Sequence, residues 1–157
     1  MYVGIDLAAK KGNKTGVCSL NREIDARTVF EDDKIIKLAK EGEVVAIDAP
    51  LSTTEKPFRS AEREMMEEFG PMLPLNTPGM LSLSKRAGQI RKRLEEVEMI
   101  ETYPRAVEQI IDERKDRKHF ENEHEFDAYL CALTAKRYSE GRYRKYGEGS
   151  ETIVLPL

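Results

Sequence analysis

The chain has no tryptophan, only two cysteines and only two histidines among its 157 residues. Cys18 and Cys131 stand far apart in apolar surroundings, without the close spacing of a zinc site. They read as small core residues of a reducing cytoplasm rather than as a disulfide or a metal pair. His119 and His124 are not paired at helical spacing, which removes the usual imidazole metal site. No apolar run approaches the length of a membrane span, and the first residues lack the basic-then-apolar pattern of a secretion signal. An excess of positive charge is also missing. Lysine and arginine number 26 against 29 acids, a net charge of −3, which excludes a polycation built to coat nucleic acid. Glutamine and asparagine are scarce beside abundant Glu, Lys and Arg, a composition that leans towards a thermophilic source.

What is present alternates short strands with helices. Residues 1–7, Thr15–Asn21 and Ile24–Phe30 read as an opening antiparallel meander, with a lysine-rich turn at Lys10, Lys11 and Lys14. "DDKIIKLAKEG" is a helix that stops at Gly42, and Val44 to Ile47 is an unbroken apolar strand suited to a central, parallel place in a sheet. Helices are expected from Pro57 to Phe69 and from about Leu81 to Val97, separated by a proline-rich loop, Gly70–Met80. "EMIETYP" is a short strand whose Pro104 suits the first turn of another helix. Asn122 and Glu125 have the spacing of a reciprocal capping box and open the last helix. "TIVLPL" remains as an apolar tail, an extra edge strand or a homodimer contact. This order predicts an α/β domain with a mixed sheet over residues 1–146, and a tail over 147–157.

Two of these strands end in a carboxylate. "YVGID" leads into Asp6 and "VVAID" into Asp48, the carboxyl ends where open α/β sheets bind ligands. Glu101 is a third acid on a strand, and Asp127 lies in the second turn of the last helix beside its apolar stripe. Burying an unpaired carboxylate costs several kcal/mol, so a convergence of such groups calls for a cation. Hard oxygen donors without cysteine or paired histidine favour Mg²⁺ or Mn²⁺, and such ions support phosphodiester hydrolysis. Taken singly, each acid is equally well a loop cap or the partner of a nearby arginine.

The motifs "GIDLAAKKGNKTG", "VAIDAPLS", "FRSAERE", "ETYPRA" and "FDAYLCALTA" occur in that order from Val3 to about Tyr138. Together they resemble the domain of unknown function 429 family, predicted nucleases of the ribonuclease H-like superfamily. The resemblance implies a ribonuclease H-like fold, a five-stranded mixed sheet of order 3-2-1-4-5 with helices on both faces. It implies Asp6, Asp48 and Asp127 as metal ligands, and Glu101 as a fourth ligand or general base. Arg59 and Arg63, four apart on one helical face, and Lys14 in the lysine turn are the candidate phosphate-binding groups. His124, three residues before Asp127, is a candidate proton shuttle, although its place in the first helical turn suits an exposed residue. The expected function is a Mg²⁺- or Mn²⁺-dependent nuclease acting on DNA or RNA. Two other classes fit the same elements: a non-catalytic ribonuclease H-like binding module, and a nucleotide-binding phosphotransferase of the actin and sugar-kinase type. The last lacks the glycine two residues after Asp6 that lets backbone approach a phosphate.

Overall fold

The structure is a computed structural model that describes residues 1–112 and 114–157. Its elements run β1 (Tyr2–Asp6), β2 (Thr15–Leu20), β3 (Ile24–Val29), α1 (Asp32–Ala39), β4 (Val44–Ile47), α2 (Ser60–Phe69) and α3 (Pro78–Arg93). They continue with β5 (Glu98–Glu101), α4 (Pro104–Ile110), a 3₁₀ turn at Arg117–His119, α5 (Glu123–Ser139), β6 (Tyr143–Tyr146) and β7 (Ile153–Pro156). Among the described residues the strands form one mixed sheet of seven, ordered β3-β2-β1-β4-β5-β7-β6. The protein is therefore α/β.

The expected sheet had five strands in the order 3-2-1-4-5. That order occupies the first five places, and two further strands extend the sheet beyond β5. The tail was expected at an edge or in a dimer contact. Instead β7 lies one place in from the edge, parallel to β5 and antiparallel to β6, with all four residues buried. Its apolar run suits a strand with neighbours on both sides, whereas Tyr143-Arg144-Lys145-Tyr146 carries two charges and takes the edge. Ile153–Pro156 of the expected tail thus belongs to the same sheet. β3 closes the other edge, where Arg27 pairs with Asp25 at 2.5 Å.

Alternation along the central strands divides the core between two faces. Val3, Ile5, Val45 and Ile47 pack against Ile35, Ile36 and Ala39 of α1 and Ala87 and Ile90 of α3. The other face is covered by α5, whose Phe126 and Leu130 meet Met65 of α2, Val107 of α4 and Leu155 of β7. Two helix starts differ from expectation. α2 begins at Ser60 rather than Pro57. α3 begins at Pro78, inside the expected loop, because the Thr77 side chain accepts a hydrogen bond from Met80 N and proline suits the first position.

Glycine sets how closely α5 lies on the sheet. A Cβ on Gly4 of β1 would stand 1.9 Å from the Ala128 carbonyl oxygen, and one on Gly16 of β2 would stand 1.9 Å from that of His124. Both are backbone atoms of α5, so neither clash is relieved by a rotamer change. Ala128, Cys131 and Ala132 continue the close seam with small side chains, all fully buried. This tight crossing carries the first two turns of α5 over the carboxyl end of β1.

Candidate acidic site at the sheet rim

Parallel pairing of Ile5 with Ile47 sets the ends of β1 and β4 side by side, and Asp48 N donates to Ile5 O at 2.8 Å. Ile5 and Ile47 point to the α1/α3 face, so Asp6 and Asp48 turn to the face covered by α5. Asp127 comes to the same rim from the second turn of α5.

The electrostatics record this convergence. Burial pushes the Asp48 carboxyl well above the ordinary carboxylate range, and the charges of Asp6, Asp127 and Glu101 push it further. Asp127 is raised to about 6, first by burial and then by Asp6, with Arg117 opposing. Asp6 is raised by burial and drawn back by His124, whose Nδ1 lies 2.8 Å from Asp6 Oδ2. Among the described residues no lysine or arginine pairs with Asp6, Asp48 or Asp127, and no hydrogen bond reaches the carboxylates of Asp48 or Asp127. Asp6, Asp48 and Asp127 are thus near enough for the charges of Asp6 and Asp127 to act on Asp48, and that of Asp6 on Asp127. Their oxygen-only donor chemistry suits a hard divalent cation. As placed, no group of three or more His, Cys, Asp or Glu side chains among the described residues is close enough to hold one metal ion.

Glu101 does not join them as a free ligand or base. It is the register partner of Ile47, so alternation turns it to the opposite face of the sheet. There Arg59 Nη2 and Nη1 donate to its two oxygens at 2.5 and 3.0 Å, and Leu51 N donates to Oε2 at 3.0 Å. Burial raises the Glu101 carboxyl and these bonds oppose the rise.

Arg59 is likewise not a phosphate ligand. It is 3% exposed, and its guanidinium is surrounded by Glu62, Glu101 and Ser52. The expectation rested on Arg59 and Arg63 standing four apart on one helical face. The fold instead places this one under the ends of β4 and β5, where only ion-paired neighbours permit its burial. Arg63, one turn on, is exposed on α2. Lys14 is exposed two residues before Gly16, the register partner of Asp6, which sets it at the rim.

Two contributors escaped the sequence reading. Glu62 is 1% exposed and neutralises Arg59, and its Oε2 also accepts from Arg59 N at 3.0 Å. Its spacing of three from Arg59 at a helix start was the available signal. Arg86 is 4% exposed. It donates to the carbonyls of Ala8 and Lys10 at 2.6 and 3.2 Å and pairs with Asp32 at 2.7 Å. The segment leaving β1 after Asp6 is thereby tied to α3. His124 was weighed as a surface residue; its side chain is 45% exposed, yet it reaches Asp6.

No protein-family model, curated protein or solved structure matches this chain.

Proposed function

We propose that the protein is a divalent-metal-dependent nuclease of ribonuclease H-like fold, in keeping with its resemblance to the domain of unknown function 429 family. One observation carries the reading: Asp6 and Asp48 follow adjacent parallel strands, Asp127 approaches them from α5, the charges of Asp6 and Asp127 raise the proton affinity of Asp48, and among the described residues no lysine or arginine is ion-paired with any of the three. Such an arrangement costs stability unless a cation is supplied. Asp6, Asp48 and Asp127 are the residues that would hold Mg²⁺ or Mn²⁺, after small side-chain movements. A bound ion would supply the Lewis acidity for hydrolysing a phosphodiester. His124 fixes one oxygen of Asp6 and so orients the other. Glu101 and Arg59 act as positioning residues, clamping β5 to the Leu51–Ser52 segment that follows Asp48.

Isothermal titration with Mn²⁺ tests this. Wild type is expected to bind, with Asp6→Asn and Asp48→Asn weaker by more than about tenfold. If all three bind alike, or wild type does not bind, the site is absent. A second reading is a ribonuclease H-like module that binds nucleic acid without cleaving it. The His124–Asp6 pair favours it, since it gives one acid a partner without any ion. Nucleic-acid binding that persists in EDTA and in Asp6→Asn, with no cleavage, would establish that reading instead.

A further inference from the structure

We propose that the cleft beside the acidic rim receives one unstacked nucleobase, so that the strand bound there is single or locally unpaired. This deepens the nuclease reading and rests on it for the placing of the phosphodiester. The cleft has a volume of about 200 Å³, which suits one purine or pyrimidine. Its lining combines the carboxyl groups of Asp6, Asp48, Glu62 and Glu101 with the apolar side chains of Met72 and Leu73.

Charge decides what can enter. Among the described residues no lysine or arginine lines the cleft, so a phosphate finds no counter-charge in that lining. A nucleobase is neutral, has apolar faces and carries N–H groups on its edge. Its faces match the leucine and methionine wall, and carboxylate lone pairs of the lining not turned to a cation accept from its edge. A base inside a duplex keeps both faces covered by its neighbours, so it reaches such a cavity only after leaving the stack.

The 71–75 segment is built for that contact. Leu75 is buried, and its N donates to Pro57 O at 2.8 Å, which fixes the wall. Leu73, two residues earlier, is 72% exposed. One exposed leucine is ordinary by itself. As an exposed residue of a cleft that Asp6 and Asp48 also line, it is suited to act as a wedge against a neighbouring base, and Met72 adds an adaptable apolar surface to the same lining.

The test is fluorescence anisotropy with a short single-stranded oligonucleotide and with the blunt duplex of the same sequence. Ca²⁺ replaces Mn²⁺, and a parallel series contains EDTA. Wild type is expected to prefer the single strand by about tenfold, and Leu73→Ala to weaken that binding by about five- to tenfold while leaving duplex binding unchanged. Met72→Ala is expected to act in the same direction. Leu73 is exposed, so its truncation leaves the fold intact. Equal affinity for the two forms, no binding of either, or a Leu73→Ala protein indistinguishable from wild type overturns the proposal. So does a concentration-dependent dimer that Leu73→Ala abolishes, since a second copy would then be the occupant. A single-strand preference without Mn²⁺ binding would retain the base pocket and remove the nuclease. Mn²⁺ binding with equal cleavage of duplex and single strand would do the reverse.

Discussion

His124 Nδ1 lies 2.8 Å from Asp6 Oδ2 across 118 positions of sequence. Gly16 makes the contact possible. It is the register partner of Asp6 in β2, and its missing side chain leaves room for the His124 backbone to settle onto the sheet. A strand glycine thus sets where an acidic rim meets the first turn of a helix.

Gly16→Ala is therefore expected to destabilise the protein by about 3 kcal/mol, the upper end for overpacking, because the new Cβ meets backbone. Urea unfolding measures it. A change within about 0.5 kcal/mol of wild type would mean that α5 does not lie as closely as described.

His124→Ala leaves Asp6 to burial alone. The Asp6 carboxyl, already raised, is expected to titrate at still higher pH once the hydrogen bond that lowers it is gone. Carboxyl-carbon NMR titration of metal-free protein reads this directly, and an unchanged Asp6 would show that the pair contributes nothing in solution.

Asp127 sets a pH window. Its carboxyl titrates at about 6 when folded against an ordinary 3.8, so between those values the folded state binds more protons than the unfolded one. Stability then falls as pH rises through the window, its gain fully present below 3.8 and lost above about 6. Asp6 and Asp48 are raised too and add with the same sign. The melting temperature of metal-free protein should rise as pH drops from about 7 to about 5, and Asp127→Asn should flatten part of that rise and be the more stable at pH 7. Mn²⁺ at neutral pH should stabilise wild type and lose its effect as the acids protonate. Melts that show no difference in pH dependence between the two proteins would refute the account.

Arg59→Met strands Glu62 and Glu101 in the interior without their cation. The expected loss is about 3–5 kcal/mol, measured by urea unfolding. Combining it with Glu62→Gln and Glu101→Gln should recover most of that loss, since neutral partners no longer need the charge. A single variant as stable as wild type would mean that solvent reaches the cluster.

How much of this could be read beforehand depended on the range of the interactions. The strands ending in Asp6 and Asp48 were legible because an apolar run followed by an acid is a local pattern, and their adjacency followed from the mixed-sheet order. Asn122 was legible as a helix cap, and its side chain accepts from Glu125 N at 3.0 Å. The reciprocal half of the box is absent: Glu125 instead accepts from Thr28 Oγ1 and Glu121 N. Arg59 and Glu101 are 42 residues apart, and the only local trace of the buried arginine is Glu62 three residues after it. β6 was missed because four polar and aromatic residues form a strand only when β7 is there to pair with them.

The two outer strands have a consequence for behaviour at high concentration. At one margin Asp25 and Arg27 alternate along β3; at the other the Arg144 guanidinium lies 4.6 Å from the centre of the Tyr146 ring, and Lys145 lies over Tyr138 and Tyr143. A neighbouring molecule adding a strand at either side would have to strip water from those ions. Strand-by-strand growth of the sheet into fibres is therefore disfavoured at both margins.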